Sequence, residues 1–439
     1  MNQLKNDNRQ GQIAHNSKMH KFLTLKNVLY ILIAINVSAF FYYVFYVLNF
    51  GYLPSPFIFD KSNSLMDLFN PMLHAVHDDA YTTYQSVYPP LNFIFLKIFH
   101  SLFNGSESSN ATALRDSSNN MVFGWVFLYL LIPFLVIRTD HWRNFKRDEK
   151  LLIYLVVILS FPMLFTLERG NLILLSLVPL AYVFSTQIWM RLISIAILVN
   201  LKPYFMLLFL SYLIQRKWKE MVCAILVTVL IFLISGLIYD ASHFILIAKN
   251  LINFGVAHNP LSILEVVNFS SSISMFSFVA DKKLISIPFL EQHPNILFLI
   301  LKLLEILKWT SIAFALSMLY KKYRSIDMRE TTVLLLAMIS NVGVSVGGYI
   351  FITYIVTIPT LMHMRFKRIY ISFLIFISLP FLCINLFEQE KMKAFFFSYF
   401  SHEFVYPAYT IDITALLRPI LNIMFLCILS YEFLLRKNN

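Results

Sequence analysis

The chain has 439 residues, of which 58% are hydrophobic and only 14% are charged. Soluble domains average about 25% charged residues, so this composition excludes an ordinary soluble protein. The net charge of +12 does not indicate a nucleic-acid partner, because apolar runs of about twenty residues, long enough to cross a bilayer, dominate the sequence. The composition therefore predicts an all-α polytopic membrane protein that contacts lipid and binds no nucleic acid.

Residues 1–27 are polar and basic, which predicts a cytoplasmic N-terminal tail. The apolar run after them is too long for the core of a typical signal peptide, so we expect no cleaved leader. The three cysteines lie inside apolar segments and show no metal-ligand spacing. We accordingly expect no disulfide framework, no metal and no cofactor.

Twelve apolar segments are predicted to span the membrane. The basic clusters between them can all be cytoplasmic only if both termini are cytoplasmic, the C-terminal tail being residues 436–439. The predicted spans are near residues 28–48, 121–137, 151–165, 172–185, 191–201, 203–214, 221–238, 295–320, 331–346, 349–362, 369–386 and 413–434. Residues 28–435 are therefore interpreted as one transmembrane domain.

The apolar run Leu91–Phe103 is predicted to lie at the outer interface instead of spanning. A span there would place the basic cluster Arg138–Lys150 outside, against the positive-inside rule. Pro89 and Pro90 suit the start of a helix. The pieces within 172–214 are short for a bilayer, and half-spanning helices are tolerated only where protein or a water-filled cavity surrounds them.

Acidic residues are concentrated in three predicted outer segments, 49–120, 239–294 and 387–412, which hold more than half of them. The predicted cytoplasmic loops are short and contain no Gly-rich phosphate loop. They leave no room for a soluble nucleotide-binding domain. We therefore expect the site to face the outer side.

The first outer segment, 49–120, holds the candidate general bases. Asp67 lies between the apolar pairs Leu65-Met66 and Leu68-Phe69, and a carboxylate in such surroundings at the membrane surface suits a general base. Asp60 is the fallback, although a solvated loop acid or a helix cap is the favoured interpretation of this residue.

The same segment contains His74, His77, Asp78 and Asp79. Two histidines three residues apart share one face of a helix and could ligate a metal. No other part of the chain supplies a matching ligand motif. Solvated loop residues are therefore the favoured interpretation of this cluster.

Two cations beside predicted helix ends are candidate phosphate ligands. Arg169 either neutralises the adjacent Glu168 or points at an anion, which its planar donor fork suits. Lys202 precedes Pro203 at a helix break, and it either snorkels to the interface or contacts a phosphate as a point charge. The glycines of Gly347-Gly348-Tyr349 predict either a tight helix turn or close approach to a substrate.

Five short motifs then occur in a distinctive order. They are Met66-Asp67-Leu68-Phe69-Asn70, Tyr88-Pro89-Pro90-Leu91, Arg169-Gly170-Asn171, Leu201-Lys202-Pro203 and Gly347-Gly348-Tyr349. This set resembles the GT-C glycosyltransferases, and among them glycosyltransferase family 87, the polyprenyl-phosphate-sugar-dependent mannosyltransferase-like enzymes. The resemblance covers roughly residues 55–365.

The resemblance implies a GT-C bundle with interfacial outer helices in a bacterial cytoplasmic membrane, with its site on the outer (periplasmic) face. It implies inverting transfer of a hexose from a polyprenyl-phosphate donor to a glycan or glycolipid acceptor. Asp67, or else Asp60, would be the base, and Arg169 and Lys202 would lie near the donor phosphate. The implied substrate-binding residues are Tyr88, Asn171, His77, Gly348 and Tyr349.

Two other functions remain open at this point. An envelope polysaccharide polymerase or ligase also pairs about a dozen spans with a large outer loop, but it would depend on outer arginines, which are few here. A lipid-linked sugar transporter or flippase would favour matched halves and charges at the middle of the membrane. We find no internal repeat, and the charges gather at the predicted outer face.

Overall fold

The structure is a computed structural model that describes most of the chain. The described residues are 25–54, 57, 61–105, 108–257, 294–342, 348–380, 383–384, 396–401, 403–405 and 411–436. The fallback base Asp60, the first glycine of the Gly347-Gly348 pair and much of the predicted second outer segment lie outside them.

Helices make up most of the described chain, which confirms the all-α prediction. In the first half they are α1 (Leu25–Phe50), α2 (Met66–Val76), α3 (Pro90–Leu102), α4 (Ala111–Ser117), α5 (Asn119–Arg138), α6 (Arg147–Ile158), α7 (Phe161–Arg169), α8 (Leu177–Val183) and α9 (Ile188–Leu201). Short 3-10 helices cover Lys61–Asn63, Asp140–Trp142 and Leu172–Ser176.

The second half continues in the same way. Its helices are α10 (Phe209–Ile214), α11 (Trp218–Asp240), α12 (Ile247–Ala257), α13 (Pro294–Lys322), α14 (Met328–Val342), α15 (Ile358–Leu361), α16 (Lys367–Ser378) and α17 (Ile413–Leu434). Further 3-10 helices cover Pro203–Leu208, Phe244–Leu246 and Gly348–Thr357.

Two small antiparallel sheets accompany the last helices. Strand β1 (Cys383–Ile384) pairs with β4 (Ile411–Asp412), and Cys383 lies opposite Asp412. Strand β2 (Phe396–Phe397) pairs with β3 (Phe404–Val405), and Phe396 lies opposite Val405. Each strand has only two residues, so the fold remains a helical one.

Three of the described helices, α1, α5 and α11, are long and apolar enough to cross a membrane. They match the predicted spans 28–48, 121–137 and 221–238. A fourth candidate is the pair α6 and α7, which is bent by 53° and takes the place of the predicted straight span 151–165. Pro162 explains the break, because proline lacks an N–H and is favoured in the first turn of a new helix.

The other predicted spans correspond mostly to shorter or irregular helices, so the number twelve stays a prediction. The segment 172–214 consists of short pieces interrupted by 3-10 turns, as its length suggested. The run Leu91–Phe103 forms α3, with Pro90 as its first residue.

Burial separates the central helices from the peripheral ones. Residues Thr331–Asn341 of α14 are all buried, and a helix buried on every side lies inside a bundle. On α1 and α11, by contrast, large apolar side chains such as Phe41, Phe45 and Leu237 are more than half exposed. Such surfaces suit a lipid environment, in agreement with a membrane protein.

Candidate functional site

The start of α2 is joined to the end of α7 by backbone contacts. Leu65, the residue before α2, has a left-handed φ of 63°, and its N–H donates to the Glu168 carbonyl at 2.7 Å. Gly170 ends α7 at φ +69°, where an added Cβ would lie 2.8 Å from the Leu68 Cβ. Only glycine suits both this backbone conformation and this close approach.

Arg115 of α4 fixes the segment that leads into α2. Its Nη1 donates to the carbonyl oxygens of Lys61 and Ser64 at 2.5 and 2.8 Å, and its Nε donates to Asp116 at 2.8 Å. The Arg115 side chain is buried, so these bonds replace the water that a guanidinium otherwise needs.

The carboxylate of Asp67, at the second residue of α2, is held on both oxygens. Oδ1 accepts a hydrogen bond from Arg169 Nη2 at 2.5 Å, and Oδ2 accepts one from Asn171 Nδ2 at 2.8 Å. Asn171 is oriented by its own Oδ1, which accepts from the Ile173 N–H at 3.0 Å. The Asp67 and Arg169 side chains are each about one-fifth exposed, so an approaching molecule can reach them.

The sequence left open whether Arg169 neutralises Glu168 or meets another anion. In the structure its anion is Asp67, and its Nη1 also donates to the Asn63 carbonyl at 3.2 Å. Glu168 instead accepts a hydrogen bond from Ser64 Oγ at 3.1 Å. The guanidinium thus joins α7 to the first outer segment.

Lys202 is buried beside Tyr88. Its ammonium lies 4.3 Å from the centre of the Tyr88 ring, within cation–π distance, and the residue is 6% exposed. Burial lowers the pKa of Lys202 to about 8, against the opposing effect of the Asp67 charge. Among the described residues no acceptor takes a hydrogen bond from this ammonium.

Asn92, a residue that the sequence analysis missed, holds Tyr88 and Lys202 together. Its buried Nδ2 donates to the carbonyls of Asn200 and Leu201 at 3.2 and 3.0 Å, and to that of Pro89 at 3.1 Å. The start of α3 is thereby tied to the end of α9. A lone asparagine two residues after a Pro-Pro pair was the only signal in the sequence.

Tyr349 is another aromatic residue near Asp67. Its ring stacks on Phe165 with centroids 6.0 Å apart, and its hydroxyl is hydrogen-bonded to the Asn171 side chain. Gly348 is buried beside it, where an added Cβ would lie 3.3 Å from the Phe161 ring. The structure therefore brings Tyr349 and Asn171 to Asp67, whereas Gly348 faces the Phe161 ring.

His77 does not join this group, because it lies exposed just beyond the far end of α2. Its neighbour His74 is the more structured residue. The Nδ1 of His74 is 2.7 Å from Asp79 Oδ1, and its ring stacks on Tyr84 at 4.4 Å. In the described part of the chain no three His, Cys, Asp or Glu residues are arranged to hold a metal ion.

An apolar groove of about 320 Å³ runs beside the site, between α1, α5 and α7. Its walls include Tyr43, Trp125 and Leu164, and Ser64 and Glu168 lie in its lining. Because Glu168 directly precedes Arg169, the groove adjoins the segment that carries the Asp67 ligands. A long hydrocarbon chain is the kind of molecule that such a surface accommodates.

No protein-family model, curated protein or solved structure matches this chain.

Proposed function

We propose that this protein is an inverting membrane glycosyltransferase of the GT-C type. It would move a hexose from a polyprenyl-phosphate donor to a glycan or glycolipid acceptor. The observation that carries the proposal is the Asp67 carboxylate, fixed by Arg169 and Asn171 within the electrostatic reach of the buried Lys202 ammonium. An oriented carboxylate and a desolvated cation are the two groups that this transfer requires.

Asp67 would act as the general base. A hydrogen bond on each carboxylate oxygen fixes the plane of the group while leaving a further lone pair on each oxygen. One of these lone pairs takes the proton from the acceptor hydroxyl. A positioned base of this kind contributes about 10²–10⁴-fold to the rate.

Transfer exchanges one bond at the anomeric carbon of the sugar for another. The acceptor oxygen forms a bond to the anomeric carbon while its proton passes to Asp67. The bond from that carbon to the phosphate oxygen breaks on the opposite face, which inverts the configuration. The electron pair leaves with the lipid phosphate, which becomes a monoester with one additional negative charge.

Lys202 would stabilise that additional charge. Its ammonium is desolvated, and no carboxylate among the described residues accepts a hydrogen bond from it. Charge–charge interactions are strongest in such low-dielectric surroundings. Arg169, for which the family resemblance implies a position near the phosphate, is paired with Asp67 and would position the base.

The groove between α1, α5 and α7 supports a lipid substrate. Its lining is almost entirely apolar, and it runs alongside α1, a helix suited to crossing a bilayer. We therefore propose that the donor approaches from the bilayer. On this proposal the site faces the outer side of a bacterial cytoplasmic membrane, and both chain termini are cytoplasmic.

The test is transfer of radiolabelled sugar by purified protein from a panel of polyprenyl-phosphate hexoses to envelope glycan and glycolipid acceptors. We expect transfer by the wild type, with inversion, and its loss in Asp67→Asn. The matched control is Asp78→Asn, which removes an exposed carboxylate of the same segment that pairs with Lys97. It should retain activity.

Three outcomes are informative. Transfer retained in a folded Asp67→Asn variant would move the base elsewhere, with Asp60 as the first candidate. Transfer with retention of configuration would contradict the single displacement. Movement of lipid-linked sugar across vesicles, without transfer to any acceptor, would overturn the proposal in favour of transport.

A further inference from the structure

A polar cavity lies at the end of the bundle opposite Asp67. Helix α5 begins next to α4, whose Arg115 contacts Ser64, and its 20 residues extend about 30 Å. The cavity, of about 150 Å³, begins at Asp140, two residues after α5 ends. Because α5 is a candidate span, this position corresponds to the level of lipid headgroups.

The acidic side chains in the cavity wall are mostly engaged. Glu330 binds the Arg436 guanidinium through both oxygens, each at 2.6 Å. Asp327 accepts from the Glu330 N–H at 2.8 Å and caps α14. Asp140 is the remaining carboxylate in the wall, and it is exposed.

The basic side chains are less constrained. Arg329 uses its Nε to bond the Phe184 carbonyl at 3.1 Å, which leaves both of its terminal nitrogens as donors. Arg143 is exposed in the same wall. Two guanidinium groups beside one carboxylate match a ligand that carries a phosphate and a separate positive charge.

His141 and Thr360 are two further polar residues of the cavity wall. His141 Nε2 donates to the Val356 carbonyl at 3.1 Å, so its Nδ1 is an acceptor in the neutral ring. Burial and the charge of Arg329 lower the pKa of His141 to about 4, which keeps the ring neutral. Thr360 is a buried residue, 7% exposed, and its hydroxyl has no hydrogen-bond partner among the described residues.

We propose that this cavity binds a zwitterion that carries a phosphodiester and a primary ammonium, as an ethanolamine phospholipid headgroup does. The terminal nitrogens of Arg329, with Arg143, donate to the phosphate. The ammonium donates to Asp140 and to the Nδ1 of His141. Thr360, whose hydroxyl has no partner among the described residues, also lies in the cavity wall. This site is independent of the proposed transfer reaction.

The test is native mass spectrometry of delipidated protein with equal amounts of ethanolamine, choline and glycerol phospholipids. We expect the ethanolamine lipid to be retained about tenfold better than the choline lipid, whose quaternary ammonium has no N–H to donate. The glycerol lipid carries the phosphodiester without an ammonium, so its retention measures binding of the anion alone. Equal retention of the three lipids would overturn the proposal.

Variants distinguish lipid binding in the cavity from lipid attraction by general surface charge. Arg329→Gln should reduce retention about tenfold, whereas Arg147→Gln, an exposed arginine near this end of the bundle and outside the cavity wall, should not. Thr360→Val should also weaken retention without lowering the melting temperature, because it removes a buried hydroxyl that has no partner. Unchanged retention in both cavity variants would contradict the assignment.

A soluble competitor distinguishes the source of the headgroup. Displacement of the lipid by glycerophosphoethanolamine would show that the headgroup alone is recognised. Selective retention without such displacement would show that the acyl chains are also needed. No binding of either molecule would overturn the proposal.

Discussion

Arg169 and Asp67 are 102 positions apart in the chain, yet Nη2 of one lies 2.5 Å from Oδ1 of the other. The guanidinium is anchored a second time on the Asn63 carbonyl, so it cannot rotate away without breaking both bonds. This arrangement makes Arg169 a positioning residue for the carboxylate. Positioning of the base and binding of the donor phosphate are two different roles for an arginine, and kinetic measurements can distinguish them.

We expect Arg169→Lys to lower kcat about 10²-fold while leaving KM for the donor nearly unchanged. A lysine keeps the charge but cannot hold Asp67 and the Asn63 carbonyl in the same fixed geometry. Steady-state transfer kinetics at varied donor concentration provide the measurement. A large rise in donor KM at constant kcat would instead return Arg169 to the phosphate.

We expect deprotonation of Lys202 to reduce activity at alkaline pH. Its pKa is lowered to about 8 by burial, so the ammonium is charged below that pH and neutral above it. We therefore expect kcat/KM for the donor to fall as the pH rises through about 8. Lys202→Arg, whose charge persists, should not show this decrease even if its maximal rate is lower. An identical profile in the variant would exclude Lys202 as the titrating group.

Gly170→Ala should destabilise the protein. At φ +69° an alanine costs about 1–2 kcal/mol, and the added Cβ would also press against Leu68. Thermal unfolding in detergent should show a lower melting temperature. Gly348→Ala is the matched comparison, because its Cβ would only approach the Phe161 ring at 3.3 Å, and a smaller decrease is expected.

Asn92→Leu should impair both stability and transfer. The leucine is of similar size but leaves the carbonyls of Asn200 and Leu201 without their donor, at a cost of about 1–3 kcal/mol. The separation of Tyr88 and Lys202 would then no longer be fixed. Melting temperature and transfer rate should fall together. A normal transfer rate in a destabilised variant would show that Asn92 has only a structural role.

The lowered pKa of His141 predicts that acid destabilises the folded protein. Its folded pKa of about 4 lies below the ordinary 6.5, so the unfolded chain binds the proton more readily. The free energy of unfolding should therefore decrease as the pH falls from about 6.5 toward 4. His141→Gln retains a donor for the Val356 carbonyl and should show a shallower decrease in melting temperature over this range. Parallel curves would contradict the assignment.

Local patterns predicted much of the helical framework. The boundaries of α1, α5 and α11 lie within three residues of the predicted spans, because long apolar runs leave few alternatives to a helix. The bend between α6 and α7 was not predicted. Ser160-Phe161-Pro162 is compatible with either a helix end or a tolerated kink, and packing decides between them.

The residues around Asp67 were selected from the sequence one motif at a time, and their pairing was not predicted. Nothing local to Arg169 shows whether its partner is Glu168, a ligand or a residue 102 positions earlier. Asn92 was missed for a related reason. A buried asparagine is informative only when the carbonyls it serves are known, and these belong to a helix end far along the chain.

The hydrogen bond between Ser64 and Glu168 joins residues 104 positions apart, so it cannot form until the chain between them has been synthesised. Asp67 emerges from the ribosome long before the arginine that neutralises it. Until then its carboxylate is an uncompensated charge, which suits an aqueous compartment and opposes burial. A nascent chain arrested before α7 should therefore react at Asp67 with a water-soluble carboxyl reagent, and the reaction should be slower in the completed protein, where Arg169 and Asn171 hold the carboxylate.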